Sequence, residues 1–241
     1  MNKQKLVRFI NKYYLNGLAQ SVILNSKSEQ QKLTTKFVSS DKTLLGVVEM
    51  DKWDCQDATI GIYTTEQLLR LLSVLDEDIK VDLQKSEDKA FSIKITDSTS
   101  SVSYMLSDPS IINDPPQLQN IPEFELKIDV TPNLINKFIA GKSALNEVTT
   151  FTVITEENKT NLVIGYSSVN TNRVNIPVQT SKFSLIDNVS FNADYFKEVL
   201  DANKECESAT LEISSEGLAK ISFKVDDFST TYWLVATTEV D

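Results

Sequence analysis

The sequence predicts an α+β protein built from two similar domains, each with two helices packed on antiparallel sheets. The first observation behind this prediction is an internal repeat, because segment 63–72 matches segment 191–200 at a constant offset in residue number, 192 − 64 = 128. The second is that the same offset relates later apolar positions, for example Tyr104 and Tyr232. A helix-capping signal, an apolar helix and a run of strands therefore occur twice in the same order, which indicates duplication.

Length and composition agree with this plan. The chain has 241 residues, of which 41% are hydrophobic, and this suits two domains of roughly 100–150 residues with ordinary cores. We expect a first domain over 1–110, a connector over 111–122 and a second domain over 123–241. No apolar run approaches the roughly 18–20 residues that span a bilayer, and the basic N-terminus lacks the apolar stretch of a secretory signal. The expected location is the cytoplasm, with no membrane partner.

In the first half, the pattern predicts a helix, a group of strands, a second helix and three further strands. Apolar residues at helical spacing predict an amphipathic helix over 2–16, closed by Gly17. Thr64 and Thr65 with Gln67 predict a capping box at the start of the second helix. The clearest strands are expected at 32–39, 44–49, 79–84, 90–96 and 102–106.

The second half repeats this order after a proline-rich stretch. Residues 108–125 contain four prolines, and proline removes a backbone donor and restricts the preceding residue, so we expect an extended connector there. Thr131 and Pro132 predict the start of a third helix, and Asn192 or Ser190 predicts the cap of a fourth helix. Strands are expected at 147–155, 160–167, 173–177, 183–185, 209–214, 218–225 and 230–236.

The composition argues against an enzyme. The chain has no histidine, so it lacks the commonest general base and the commonest metal ligand. It also lacks a P-loop, a Rossmann glycine fingerprint, a nucleophile elbow and paired cysteines at metal spacing. We therefore predict no catalytic residues, no metal and no cofactor. Cys55 and Cys206 lie far apart in the sequence, and free thiols in a reducing cytosol are expected.

The charge is distributed unevenly. A net charge of −10 opposes nucleic-acid binding through the average field. However, no acid precedes Glu29, and Lys5, Arg8 and Lys12 share one face of the first predicted helix. Separate cations without interleaved aromatic residues suit contacts to the phosphates of a duplex, which carry no sequence information; the alternative is an ordinary solvated helix face. The predicted DNA-binding residues are Lys5, Arg8, Lys12, Arg70, Lys137, Lys197 and Lys204.

A comparison of the two repeats indicates a second site. Met105 and Ser107 of the first half become Trp233 and Val235 in the second half. These positions alternate with core positions, so Trp233 is expected on the less buried face of the last strand. It either packs locally under the connector or forms part of an apolar pocket for a partner peptide, because such anchors are typical of protein interfaces. The predicted pocket residues are Ile111, Ile112, Leu118, Ile121, Trp233 and Val235.

Three motifs in one order carry a family resemblance. A Leu-Ser pair at 72–73 ends an apolar helix, an Ile-x-Ile-x-Asp strand end lies at 93–97, and an Asp-Pro-Ser connector follows at 108–110. Together with the duplication, this order resembles the DNA polymerase sliding clamps of T-even-type bacteriophages. The strongest match covers residues 66–140, and the two-domain plan extends the likeness to the whole chain.

The resemblance implies a homotrimer of six DNA-clamp domains, a pseudo-sixfold ring whose helices line the hole and whose sheets form the outside. Such a ring encircles duplex DNA non-specifically and tethers the replicative polymerase, and an ATP-driven clamp loader opens and closes it. A transcription co-activator or RNA polymerase subunits would be further partners, for phage late transcription in the host cytoplasm. Carried over to this chain, the inward-facing cations would be Lys5, Arg8, Lys12, Arg70, Lys137 and Lys197, with Trp233 in the peptide pocket.

Two other interpretations stay open at this point. The first is a duplicated-domain structural or adaptor protein of a virion without DNA contact, which gives no reason for aligned basic residues on the helices. The second makes helix 2–16 an amphipathic helix on a membrane surface, although this helix has two tyrosines and lacks a tryptophan or a long leucine stripe.

Overall fold

The computed structural model describes residues 1–86, 89–157, 159–167, 169 and 171–237. The chain forms two compact units, and each combines segments that are distant in the sequence. Unit 1 consists of Met1–Ser40, Gly46–Pro116 and Asp226–Thr230, and unit 2 consists of Asp41–Leu45, Gln117–Val225 and Thr231–Asp241. The chain therefore changes units at 116–117, inside the predicted connector. In addition, Asp41–Leu45 of the first half belongs to unit 2, and Asp226–Thr230 of the second half belongs to unit 1.

Each unit has two helices and two groups of strands, as the α+β prediction requires. The helices are α1 (Lys3–Tyr14), α2 (Thr65–Leu72), α3 (Pro132–Ala144) and α4 (Ala193–Ala202), with short 3-10 helices at Leu15–Gly17 and Pro109–Ile111. The strands of the first half are β1 (Val22–Lys27), β2 (Lys32–Val38), β3 (Leu44–Asp51), β4 (Ala58–Ile62), β5 (Lys80–Ser86), β6 (Lys89–Thr96) and β7 (Ser101–Met105). Those of the second half are β8 (Leu126–Val130), β9 (Thr150–Glu156), β10 (Lys159–Ile164), β11 (Val174–Val178), β12 (Thr180–Lys182), β13 (Val189–Asn192), β14 (Ala209–Ser214), β15 (Leu218–Val225) and β16 (Phe228–Val235).

The strands form antiparallel groups within the units. In unit 1, β1 pairs with both β2 and β4, the order is β3-β2-β1-β4, and a second group has the order β5-β6-β7. In unit 2, one group has the order β11-β10-β9-β13 and the other β12-β8-β14-β15-β16. Two further backbone hydrogen bonds lie within the units: the Asp51 amide donates to the Asp227 carbonyl at 2.8 Å in unit 1, and the Val235 amide donates to the Thr43 carbonyl at 2.8 Å in unit 2.

The structure repeats at the offset that the sequence predicts. α2 and α4 begin at Thr65 and Ala193, and β1 and β9 begin at Val22 and Thr150. Both differences equal the offset of the sequence repeat, since 193 − 65 = 150 − 22 = 128. The equivalent of β3 is β11, and the equivalent of β7 is β16, as judged from their starting residues. The duplication therefore extends through helices and strands alike.

The capping predictions have mixed outcomes. Thr131 and Asn192 cap α3 and α4 as predicted, since their side chains accept hydrogen bonds from the Leu134 and Tyr195 amides. The capping box of α2 is wrong, because the side chain of Thr64 makes no cap hydrogen bond. The Gln20 carbonyl instead accepts the Thr65 hydroxyl at 2.8 Å, so a residue from before β1 holds the start of this helix.

Helix α1 also ends differently from the prediction. The helix stops at Tyr14, and Leu15 is the residue in the left-handed conformation, with φ 44°. Gly17, with φ 107°, lies in the short 3-10 helix that follows. The turn out of this helix therefore begins before the glycine.

The predicted strand at 183–185 is wrong. Residues 183–188 lie between β12 and β13 without regular structure. The Thr155 hydroxyl donates to the Ile186 carbonyl at 2.9 Å and accepts from the Ile186 amide at 3.0 Å. A threonine side chain therefore takes the backbone hydrogen bonds that a neighbouring strand would otherwise make.

The core of unit 2 is built around aromatic rings. Phe138 of α3 and Phe196 of α4 meet edge to face with ring centroids 4.8 Å apart, and Phe151 of β9 stacks on Phe196 at the same separation. Such pairs add about 0.5–1.5 kcal/mol beyond the area that they bury. Across the described residues, no helix combines the length and apolar character needed to cross a membrane.

Candidate nucleic-acid interface and partner surface

Among the α-helices of the described residues, α1 and α3 carry cations and no acids. α1 contains three lysines and one arginine, and α3 contains two lysines, while neither helix contains aspartate or glutamate. This pattern stands out in a chain with a net charge of −10. α2 and α4 are mixed, because α2 carries Glu66 beside Arg70 and α4 carries Asp194, Glu198 and Asp201.

The prediction that Lys12 is an accessible DNA-binding cation beside Lys5 and Arg8 is wrong, and so is the alternative of a solvated position. Only 1% of Lys12 is exposed, and its ammonium lies 5.3 Å from the centroid of the Phe228 ring. The helical wheel placed Lys12 opposite the apolar stripe, but it could not include a ring from the far end of the sequence. Lys12 is therefore a core residue of unit 1, where a cation and an aromatic face attract each other.

Lys5 and Arg8 are held by two neighbouring aspartates. Asp226 and Asp227, which we name the acidic turn, connect β15 to β16, and Asp226 has φ 50°. Asp227 Oδ2 lies 2.8 Å from Lys5 Nζ, and Asp226 Oδ2 lies 2.9 Å from Arg8 Nη2. All four side chains belong to unit 1, so these two cations of α1 have carboxylate partners within the same unit.

A third cation pairs with the acidic turn, and the cations together lower the pKa of one of its carboxyl groups. Lys52 Nζ lies 2.8 Å from Asp227 Oδ1. The hydrogen bonds from Lys5 and Lys52 stabilise the carboxylate and lower the pKa of Asp227 from its ordinary 3.8 to about 2. Asp227 thus remains ionised throughout the range in which proteins are normally handled.

The remaining predicted DNA-binding residues differ in whether a carboxylate lies beside them. Arg70 pairs with Glu66 one turn earlier on α2. Lys197 Nζ lies 3.8 Å from Glu198 Oε1, and Lys204, just after α4, lies 3.1 Å from Asp201 Oδ1. Lys137 is exposed on α3, and the described part of the chain offers it no ion-pair partner.

The last strand has the predicted alternation. Tyr232 and Leu234 of β16 are buried, whereas Trp233 is half-buried and Val235 is exposed. Trp233 Nε1 is itself shielded from solvent and has no hydrogen-bond partner within the described structure. A shielded indole N–H without an acceptor is uncommon.

The connector residues divide into exposed and anchored ones. Ile111, Leu118 and Ile121 are exposed, but only 6% of Ile112 is exposed. The Ser107 amide donates to the Gly61 carbonyl at 3.0 Å, and a Cβ on Gly61 would lie 2.2 Å from the Ser107 oxygen and 3.3 Å from Ile112 Cδ1. Ile112 therefore fixes the start of the connector on β4 of unit 1.

Unit 1 contains a groove that the sequence did not indicate. The groove has a volume of about 790 Å³ and lies between the connector and the outward-facing residues of β1–β4. Its connector side includes Pro109, Ile112 and Pro115, and its strand side includes Lys36 and Glu49. The connector therefore borders a depression whose lining is part polar and part apolar. Within the described ranges, no cluster of three or more acidic or cysteine side chains could hold a metal ion.

Comparisons with known proteins support the fold. The chain is similar to the Proliferating Cellular Nuclear Antigen from Entamoeba histolytica, with a TM-score of 0.76 and 13% identity over 98% of this chain and 96% of that chain. It is also similar to A. fulgidus PCNA, solved with the C-terminal region of FEN-1 bound, with a TM-score of 0.77 and 13% identity over 100% of this chain and 98% of that chain. No protein-family model matches the chain, and no curated protein matches it.

Proposed function

We propose that this chain is the subunit of a sliding clamp, a ring that encircles duplex DNA and tethers a polymerase to it. The observation that carries the proposal is the pair of acid-free basic helices, α1 and α3, which recur at equivalent positions in a strongly acidic chain of this fold. An acidic exterior repels DNA, whereas cations along the helices attract its phosphates. The proposed role is that of a scaffold, with no chemistry of its own.

The edges of the sheets support assembly into a ring. In the repeat, β11 is the equivalent of β3 and β7 is the equivalent of β16. Within the described structure, β11 and β7 are each the last strand of a sheet. The proposed contact therefore pairs β11 of one chain with β7 of the next. A head-to-tail contact of this kind closes into a ring when its rotation permits.

Charged side chains do not block pairing at either of these edges. β7 has the sequence SVSYM and β11 has VNIPV, and neither contains a charged residue. The opposite edge of the β7 sheet is β5, which carries Lys80, Asp82 and Lys85. Charged side chains protect exposed edges from pairing, so β5 is protected and β7 is open. We propose three chains per ring, which gives six similar domains.

The finer proposal follows the motifs at 72–73, 93–97 and 108–110. We propose a clamp of the T-even phage type, loaded by an ATP-driven clamp loader in the host cytoplasm and used by the replicative polymerase and by late transcription. The exposed face of Trp233 and Val235, with Leu118 and Ile121 of the connector, is the proposed surface for a partner peptide. The FEN-1 segment bound to A. fulgidus PCNA supports peptide capture as the mode of recruitment.

A threading experiment tests the proposal. Light scattering first measures the solution mass, for which three chains of 27.1 kDa are expected. Binding is then compared on two samples of one linear duplex with biotin at both ends. In one sample the ends are left free, and in the other streptavidin is bound to both ends before the protein is added. An encircling protein requires a free end, so streptavidin should abolish binding. Equal binding with and without streptavidin would contradict encirclement. A monomer that does not bind DNA would favour a DNA-independent adaptor.

A further inference from the structure

Both members of the ion pairs between α1 and the acidic turn are replaced by neutral residues at the equivalent positions of the repeat. At the offset of the repeat, Lys5 and Arg8 correspond to Asn133 and Asn136. Asp226 and Asp227 correspond in the same way to Ser98 and Thr99. The cations at positions 5 and 8 of α1 are thus matched with an acidic turn, whereas the equivalent positions of the repeat hold neutral side chains both on α3 and in the turn between β6 and β7.

Asp97 directly precedes the neutral turn in the sequence, and its carboxylate already accepts backbone hydrogen bonds. Asp97 accepts hydrogen bonds from the amides of Asp76, Thr99 and Ser100, at 2.7, 2.7 and 2.5 Å. These bonds lower its pKa to about 2. Asp97 therefore holds the backbone of its own turn, and it does not reproduce the role of Asp226 or Asp227.

The paired cations have limited freedom. Lys5 Nζ also donates to the Asp51 carbonyl at 2.8 Å, in addition to its ion pair. The guanidinium of Arg8 lies over the Phe228 ring, 4.8 Å from its centroid, as well as pairing with Asp226. Each side chain is therefore fixed by two different contacts from unit 1, and a DNA phosphate would have to displace a carboxylate that is already in place.

We propose that the acidic turn is an internal counter-ion for α1, so that Asp226 and Asp227 compete with DNA phosphates for Arg8 and Lys5. This inference rests on the proposed function. A cation that is already paired contributes little to the release of counterions on DNA binding, and that release supplies most non-specific affinity. The turn therefore weakens the grip of α1 on the duplex, and the exposed Lys137 of α3 carries more of the attraction. A weak grip suits a ring that must slide.

The test uses charge-neutral variants of the full chain. Asp226→Asn removes one carboxylate partner of Arg8 at a side chain that is 66% exposed, so folding should be unaffected, and Asp226→Asn/Asp227→Asn removes the carboxylates of the acidic turn from both cations. Affinity for a linear duplex is measured by fluorescence anisotropy over a range of salt concentrations. The slope of log K against log salt should steepen by about 0.9 for each freed cation that meets a phosphate, and affinity should rise about threefold or more at low salt.

The control removes the same charge elsewhere. Glu29 and Glu216 are exposed acids in the turns between β1 and β2 and between β14 and β15. Glu29→Gln/Glu216→Gln should shift affinity less than Asp226→Asn/Asp227→Asn and leave the slope unchanged. Equal effects of the two double variants would overturn the internal counter-ion but leave the clamp intact. A wild-type chain that fails to bind duplex DNA would overturn both proposals.

A second measurement does not depend on DNA. Acylation of lysines by a small reagent, followed by peptide mass spectrometry, compares Lys5 with Lys137. Lys5 should react more slowly than Lys137 in the wild-type chain. In Asp227→Asn, the acylation rate of Lys5 should approach that of Lys137. Equal rates in the wild-type chain would mean that the ion pair does not hold Lys5 in solution, which would overturn the inference.

Discussion

Lys142 Nζ lies 2.7 Å from Asp194 Oδ1, and this ion pair joins the last turn of α3 to the first turn of α4. Lys142 is 1% exposed and also donates to the Asn146 carbonyl, whereas Asp194 is 51% exposed. The two partners therefore differ in what happens when the other is removed. A solvated aspartate can regain water, but a buried ammonium cannot.

We expect Asp194→Asn to destabilise the protein more than Lys142→Met. The first change leaves a buried charge without its carboxylate, which costs about 3–5 kcal/mol where a pair is fully buried and less here because Asp194 is half exposed. The second change replaces the cation by an apolar side chain of similar length and should cost about 1–2 kcal/mol. Urea unfolding measures both free energies, and the reverse order would contradict this account.

The acidic turn predicts a specific pH dependence of stability. The pKa of Asp227 is lowered by Lys5 and Lys52 from 3.8 to about 2. A carboxyl group with a lowered pKa stabilises the folded state above its unfolded pKa of about 3.9, and that contribution is lost as the pH falls from about 4 towards 2. Asp227→Asn should therefore lower stability at pH 7 and flatten this part of the acid limb.

The control for this pH dependence is Asp82→Asn. Asp82 pairs with Lys80 on β5 at a largely exposed site, so its replacement should change neither the stability at pH 7 nor the acid limb. Urea midpoints at several pH values and constant ionic strength provide the measurement. An acid limb of unchanged steepness in Asp227→Asn would argue against the ion pairs.

Two glycines offer a matched test of close packing. A Cβ on Gly61 would lie 2.2 Å from the backbone oxygen of Ser107, and a Cβ on Gly46 would lie 2.2 Å from Phe37 Cε1. A ring can rotate or shift, whereas the backbone at Ser107 is bonded to Gly61 itself by a hydrogen bond. Gly61→Ala should therefore cost more than Gly46→Ala, within or above the usual range of about 1–3 kcal/mol for overpacking.

Limited proteolysis adds a local measurement to this pair. Gly61→Ala should loosen the start of the connector near Ile112 and accelerate cleavage there, whereas Gly46→Ala should leave the cleavage rate unchanged. Equal acceleration in both variants would mean that the contact between Gly61 and Ser107 does not anchor the connector.

The assembly proposal predicts that charges on two edges separate the chains. Ser103 of β7 and Asn175 of β11 are both exposed. Ser103→Asp/Asn175→Asp would place like charges on both edges of the proposed junction, and cross-strand like charges are destabilising. Light scattering should report a loss of the trimer, while circular dichroism should remain unchanged. Ser181→Asp on β12 is the control, and it should assemble like the wild-type chain.

Lys137 should make the largest single contribution to DNA binding. It is the exposed cation of an acid-free helix, and nothing in the described part of the chain neutralises it. Lys137→Ala should weaken binding to all duplex sequences alike and reduce the salt slope by about 1 for each phosphate contact that is lost. Lys36→Ala, an exposed lysine on β2, should have a smaller effect. An equal loss in both variants would point to the average charge.

The sequence predicted those features that depend on neighbouring residues. The periodicity located all four helices, and the caps at Thr131 and Asn192 are correct. It failed where a distant side chain replaces a local partner, as with Gln20 at the start of α2 and Thr155 beside residue 186. No local pattern contains that information.

The candidate site follows the same rule. The alternation of β16 correctly separated Tyr232 from Trp233, because strand periodicity is local. The state of the cations on α1 was missed, since Phe228 and the acidic turn lie near the opposite end of the sequence. The repeat could have given a signal, because Asp226 and Asp227 replace Ser98 and Thr99.

The composition of unit 1 affects the order in which the protein matures on the ribosome. Asp226–Thr230 belongs to unit 1, although it is synthesised long after α1. N-terminal domains usually fold while the rest of a chain is still being made, but here α1 must wait for Phe228 and the acidic turn. Nascent chains that stop before residue 226 would therefore expose Lys12 and an uncompensated basic helix, and they would be natural targets for chaperones.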